Sequence, residues 1–367
     1  MSKIVKIASS ISEKLNFFKI PIQLKINKKN SSSPKIGVLI SFAIYGYLLF
    51  ALITSDAFSK KNPNVVEKEI TASSTPWFNF TKENFFFGAY LSDMNGAPLV
   101  YDPTYARIYA LYYDYSTNSS TGALQIDNVN AASLAPCKDD PYVQEYRKDV
   151  LKQYPQLLCL PKSEFTIGGD FSEPKTSLLL IVIMMCSNAS AAMENSCKPQ
   201  EDINQYILSS KLAYMTQESI FDSENYEQPF SNKMMPRYFN LDYRVKKIQR
   251  FYISKQILND DIGLVTPEVH TKDNWGFSEI TSDFDFYTAN QIAEIDFIAT
   301  NKVQVRGRTY VRIQEVLGQL GGIFNVFLSV GFIILSILPF SDTELLLSNH
   351  LFSFQDVKEK KSNIVYF

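Results

Sequence analysis

Between Gly318 and Phe340 the sequence runs for 23 residues without a charge. At ~1.5 Å per helical residue that stretch reaches ~35 Å, enough to cross a hydrocarbon core of ~30 Å with some tilt. A second uncharged stretch, the 19 residues Ile36–Thr54, lies near the N-terminus. It is too long for a signal-peptide core, and no small-residue cleavage site follows it, so it reads as an uncleaved signal anchor. The predicted division is a basic tail at 1–35, a first transmembrane helix at 36–54 and a lumenal or extracellular domain at 55–315. A second transmembrane helix at 316–340 and a tail at 341–367 complete it. With one helix leading out and the other returning, both tails face the cytosol.

Residues 1–35 hold eight lysines, no arginine and one acid, Glu13. That bias keeps a flank cytosolic, and such a tail either touches anionic lipid or stays solvated. The missing arginines count against a mitochondrial presequence. Lys302, Arg306, Arg308 and Arg312 stand on the outward side of the second span and pull against this orientation. The positive-inside bias is weak across long translocated loops, so the first span decides. In the C-terminal tail, Leu345–Leu347 and Leu351–Phe354 read as a short interfacial helix.

All four cysteines, Cys137, Cys159, Cys186 and Cys197, fall between the spans. Nearest-neighbour pairing is the simplest of the three connectivities that four cysteines allow, and it suits an oxidising compartment. No C-x2-C pair is present, which counts against zinc. Sequons at Asn79, Asn118 and Asn188 lie in the same region and read as glycosylation sites, although such triplets also arise by chance in a chain rich in Asn and Ser. A net charge of −2 with no basic stripe argues against a nucleic-acid partner.

The stretch between the spans reads mostly as strands, at Val65–Ser73, Phe85–Leu91, Tyr105–Tyr115, Lys211–Gln217, Arg237–Tyr243, Ile248–Ile257, Asp283–Tyr287, Ile292–Ala299 and Lys302–Arg306. Asn95-Gly96 marks a hairpin into Pro98–Tyr101. Leu178–Met185 is eight apolar residues long, too short for a span and suited to a fully buried central strand. Asp140-Pro141 opens a helix with Val143, Tyr146, Val150 and Tyr154 on one face, and a second helix covers Gln200–Ser209. Each lies beside cysteines, so each disulfide would staple a helical excursion to the sheet. The expected fold class is a membrane protein whose two transmembrane α-helices flank a mainly-β antiparallel sandwich.

Chemistry is sparse. His270 is the only outward histidine, and no nucleophile, phosphate-loop or dinucleotide motif occurs, so the expectation is a non-enzyme with no cofactor and no metal. The acid pairs Asp139/Asp140, Asp260/Asp261 and Asp283/Asp285 read as solvated turn residues rather than Ca²⁺ ligands. Arg244, Lys246, Lys247 and Arg250 read as charge protecting a sheet edge, with an acidic ligand as the alternative. Trp77 and Trp275 read as core.

Within the spans, Gly37 and Ser41 stand four apart, as do Gly318 and Gly322, a spacing that lets helices approach closely. Gln319 and Asn325 point to different sides of the second span. Polar groups there usually face protein, so they imply packing of the two spans or a homo- or hetero-oligomer.

A short basic tail, a span, a cysteine-bearing β domain, then Arg308-Thr-Tyr310 leading to Leu317-Gly-Gln-Leu-Gly-Gly-Ile-Phe-Asn-Val326 resembles the two-pass cargo receptors that cycle between ER and Golgi. Gly321, Gly322, Phe324 and Val326 carry that resemblance; the single Gly37 departs from the Gly-Gly that usually opens the family's first span. The chain also resembles two-span proteins of ciliates, through Asn62-Pro-Asn and Tyr310-x-x-Ile-Gln. The first resemblance implies a lumenal β-sandwich that binds protein partners or cargo in the ER or Golgi. Two alternatives stay open: a two-span ligand-gated channel subunit with Asn325 and Ser329 lining a pore, and a surface adhesion or structural protein.

Overall fold

The computed structural model describes residues 20–26, 29–32, 35–118, 123–187, 197–286 and 290–337. It begins with β1 (Ile20–Ile26) and β2 (Lys29–Ser32), an antiparallel pair, then α1 (Lys35–Ile53) and the single turn α2 (Asp56–Ser59). Strands β3 (Asn64–Thr71), β4 (Trp77–Thr81), β5 (Phe87–Asp93), β6 (Ala106–Thr117), β7 (Leu124–Ser133) and β8 (Ala135–Pro136) follow. Next come α3 (Pro141–Tyr146), α4 (Lys148–Gln153), β9 (Leu158–Cys159), β10 (Glu164–Gly168), β11 (Lys175–Met185) and α5 (Gln200–Leu208). β12 (Ser210–Phe221), β13 (Phe230–Asn240), β14 (Lys246–Asp261), β15 (Val269–Asp285) and β16 (Gln291–Thr309) lead to α6 (Ile313–Ile337).

The chain forms two units. One comprises Met1–Asn62, Gly263–Thr266 and Tyr310–Phe367; the other comprises Pro63–Ile262 and Pro267–Thr309. In the first, α1 and α6 are long and apolar enough to cross a membrane. They pack together, with the Tyr47 ring edge-on to Phe327 at 5.5 Å and Ser41 and Ile44 buried. The start of α6 is held by the Gly263–Thr266 loop: the Ile313 N–H donates to the Leu264 carbonyl at 3.0 Å. That satisfies one of the donors a helix leaves open at its start. The predicted tails, apart from β1, β2 and Lys35, lie outside the described residues.

The second unit is two sheets around one aromatic core. β16 is the spine of the nine-stranded sheet, with β14 along one side and first β11, then β3, along the other. β15 lies beyond β14; β6 and β7 lie beyond β11; β10 touches β11 at Gly168↔Ser177 and carries β4. The second sheet runs β13-β12-β5-β9-β8. Phe80, Phe85, Phe251 and Trp275 from the larger sheet and its connections meet Phe87 and Tyr214 from the smaller one around Phe297. Phe297 stacks on Phe251 at 5.1 Å and Phe80 meets Trp275 edge-on at 5.1 Å, geometries that add to simple area burial. The Leu178–Met185 run is the central strand β11, flanked on both sides, with Leu179, Ile181, Val182 and Ile183 buried.

Several details depart from the sequence reading. The β14–β16 pair is parallel, from Lys247↔Ala293 to Asp261↔Thr309, so the sandwich is not antiparallel throughout. Ile292–Ala299 and Lys302–Arg306 are one strand, and Asp283–Tyr287 overlaps only the end of the 17-residue β15. Gly96, at φ 91°, turns the chain as expected, but Pro98 makes a single bridge to Ser92 instead of opening a strand. The first helix breaks at Arg147, yet Val143, Val150 and Tyr154 pack on one cluster; only Tyr146 departs, exposed and stacked on Tyr142 at 4.8 Å. Trp77 is not core. Half exposed, it lies over Gly168 on β10, where a Cβ would sit 2.5 Å from its ring, so only glycine admits the indole.

Candidate functional site

Period-two alternation sorts the strands of the nine-stranded sheet into two faces. Ile108, Ile181, Phe251, Ile295 and Phe297 face the core. Between them, Tyr109, Leu111, Tyr113 and Tyr115 of β6 are half-buried on the outer face. Glu294 and Asp296 of β16 share that face, because the acids of Glu294-Ile295-Asp296 alternate with a core residue.

β14 brings the matching bases. Lys246 reaches Glu294 at 2.6 Å, and Arg250 spans Asp296 at 3.3 Å and Asp283 of β15. The sequence reading of this basic run as an edge guard is corrected, because β14 has a strand on either side, Lys246 and Arg250 are paired across the sheet, and Arg244, ahead of the strand, pairs with Asp242 at 2.8 Å. Asp296 is only 6 % exposed at its side chain, and its Oδ1 has no hydrogen-bond partner among the described residues. Burial, first of all, and then Glu294 push its carboxyl up to about 8, against the pull of Arg250 and Lys246. Tyr115 is also raised, by burial and then by Tyr113 and Glu294. The Tyr113 and Tyr115 rings stack at 5.6 Å. The result is one face on which aromatic area adjoins a tight acid–base cluster, a composition suited to protein recognition.

A second charged group was missed. Arg308, read as a flanking charge, is fully buried: Nε and Nη2 donate to the two oxygens of Asp260 at 2.9 and 2.5 Å. Its remaining donors reach the carbonyls of Ser223 (3.4 Å), Asn225 (2.7 Å) and Tyr226 (3.2 Å) in the β12–β13 turn. Asp260 is therefore no solvated turn acid, and neither is Asp261, which is buried and accepts the Glu268 N–H at 2.9 Å. Lys302 and Arg306 likewise stand beside Glu69 and Glu67 of β3, so three of the four cations before the second span serve the sheet. Nothing in the local sequence pairs Arg308 with Asp260; their meeting follows from the parallel register, Asp260↔Arg308. Glu294 and Asp296, by contrast, were readable from the alternation of β16.

The other predicted positions fall as follows. Cys137 is bonded to Cys159 and Cys186 to Cys197, with Cα–Cα distances of 4.9 and 5.5 Å; the first ties the α3–α4 excursion to β9, the second ties the end of β11 to the approach of α5. Asn79 on β4 and Asn118 at the end of β6 are exposed, and Asn188 lies outside the described residues. Gly37 lies in α1, and Ser41 is buried there. Gly318 and Gly322 are exposed, with nothing within 4 Å of an added Cβ, so they do not bring α6 against α1. Gln319 and Asn325 are exposed as well, and the Ser329 hydroxyl donates to the Asn325 carbonyl at 2.9 Å. An open groove of about 430 Å³ runs between the helices, walled by Tyr45, Leu48, Leu52, Leu317, Leu320 and Phe324. His270 lies 3.2 Å from Glu268, and no group of three or more metal-ligating side chains occurs among the described residues.

These features define a two-span membrane protein with a disulfide-bonded, two-sheet β domain. The chain belongs to the family described as the uncharacterised 80 kDa protein N-terminal domain, which matches residues 80–300. Among curated proteins none matches. Similar solved structures include a proton-activated chloride channel, 13% identical, covering 81% of this chain and 93% of that one with a TM-score of 0.24. Erv41p is 8% identical, covering 66% of this chain and 99% of that one, also at 0.24. At that degree of superposition neither likeness bears on function.

Proposed function

We propose that this protein is a non-enzymatic, two-pass receptor of the secretory pathway. Its β domain lies in the lumen or at the cell surface and binds protein partners or cargo, while both termini face the cytosol. The observation that supports this reading is the outer face of the large sheet, where half-buried Tyr109, Tyr113 and Tyr115 adjoin the Lys246, Arg250, Glu294 and Asp296 cluster. Tyrosine and arginine beside a desolvated charge are the groups that dominate protein-recognition surfaces. Two disulfides and the exposed sequon asparagines Asn79 and Asn118 accord with an oxidising compartment.

Proximity labelling of lumenal proteins by the full chain in intact cells tests the reading, with a Tyr113→Ala/Tyr115→Ala variant alongside. Labelled partners lost in the variant are expected; identical labelling by both chains refutes the assigned face. Protease added to sealed vesicles should leave the β domain intact, and its digestion from the cytosolic side would overturn the placement.

A second reading rests on α6. Asn325 and Ser329, four apart on one face, are exposed, and polar groups in a span ordinarily face protein or water. Subunits assembled through that face would make a pore. A conductance from purified protein in planar bilayers, altered by Asn325→Leu, would favour this reading over the receptor.

A further inference from the structure

Sheet edges in soluble domains are ordinarily blunted, because an open row of N–H and C=O groups templates pairing with another chain. Most edges of this domain follow that rule. β15 carries Lys272, Asp273, Glu279, Asp283 and Asp285; β3 carries Glu67, Lys68 and Glu69. β13 holds Lys233, Arg237 and Pro236, β8 is two residues with Pro136, and β4 is five residues long.

β7 is the exception. It is ten residues long, and among the described residues it pairs only with β6. Both of its faces are open, with Leu124, Ile126 and Val129 exposed at 45, 55 and 44 %. Its one charge, Asp127, accepts the Ser116 hydroxyl at 2.7 Å and marks a bulge in the register. Beyond the bulge, Asn128–Ser133 is uncharged and keeps unbroken register with β6, from Asp114↔Asn128 to Tyr109↔Ser133. Every second residue of such a strand turns its N–H and C=O away from its neighbour. A strand held along one side only, with no core face and no guarding charge, has the make-up of half a ladder.

We infer that the free edge of β7 pairs antiparallel with β7 of a second copy of this chain, joining two nine-stranded sheets across a two-fold axis. The run is self-complementary. An axis at Asn130 sets Asn130 opposite its own copy, Val129 opposite Ala131, Asn128 opposite Ala132 and Asp127 opposite Ser133, with no like charges facing. The inference is independent of the receptor reading, since an edge pair and an outer face can be lost separately.

The test is site-directed cross-linking of the full chain in its native membrane. An Asn130→Cys variant treated with a short bismaleimide should give a band of twice the chain mass, while Asn232→Cys on the guarded edge β13 should not. Adding Val129→Lys and Ala131→Lys to Asn130→Cys should abolish the band, because two lysine pairs would then face each other. Both positions are exposed, so the sandwich core is untouched, and unchanged Trp275 emission from the same variants, solubilised in a Trp77→Phe background, confirms that they fold. No dimer band, a dimer band indifferent to the lysines, or cross-linking only to a protein of different mass would each overturn the inference.

Discussion

Replacing Arg308 by Met should unfold this domain more easily than any other single change of a charged residue in it. The guanidinium is fully buried and makes a two-pronged bond to Asp260, whose side chain is 3 % exposed. Removing one partner of a buried ion pair strands the other, at a cost of about 3–5 kcal/mol. The three carbonyls it also serves lie in a turn open to water, so they add little to that figure. With a urea slope near ~3 kcal/mol/M, the midpoint should fall by roughly 1–2 M. Trp77 is half exposed and Trp275 buried, so a Trp77→Phe background leaves Trp275 as a clean fluorescent reporter in the detergent-solubilised chain. The double variant Arg308→Met/Asp260→Leu removes both charges and should recover at least half of the loss, because an apolar pair of similar volume is often as stable as the ions it replaces. A cost below about 1 kcal/mol for Arg308→Met, or no recovery in the double variant, would refute the argument.

Three further outcomes follow. Asp296 binds its proton more tightly folded than unfolded, up to about 8, so its contribution to stability is complete below the ordinary carboxylate range and is lost as pH rises through about 8. Relative to an Asp296→Asn variant, melting temperature should therefore fall from about pH 5 to about pH 9, and a constant difference would contradict the assignment. Gly168→Ala drives a Cβ to 2.5 Å from the Trp77 ring and should cost about 1–3 kcal/mol by chemical denaturation, most of it relieved in Trp77→Ala, where the ring is already gone. Opening the Cys137–Cys159 bridge, which closes 22 residues, with Ser at both positions should cost about 2–4 kcal/mol; a loss near zero would mean that the α3–α4 excursion is held by packing alone.

What could be read from the letters alone was what depends on local pattern. The charge-free runs of α1 and α6 and the unbroken apolar run of β11 needed no partner to be recognised. β7 was invisible, because a strand with two exposed faces has no alternation to betray it. The exposed start of β15, Val269–Asp273, was hidden for the same reason. The helix near Asp140 was placed correctly, through the cap its carboxylate offers to Tyr142 and Val143, but the break at Arg147 was not. At the outer face, the bases of β14 stood out while their role was misjudged, since whether a strand is edge or interior depends on neighbours far along the chain. Arg308 shows the limit most clearly: its partner is 48 residues away, and only the parallel register of β14 and β16 brings the two together.

The β12–β13 turn is gripped by its peptide oxygens, at Ser223, Asn225 and Tyr226, and only Tyr226 adds a ring, 5.9 Å from the guanidinium. A clasp that reads backbone is blind to most of the letters it holds. In relatives of this chain the turn should drift in spelling while keeping its length, and Arg308 and Asp260 should vanish only together.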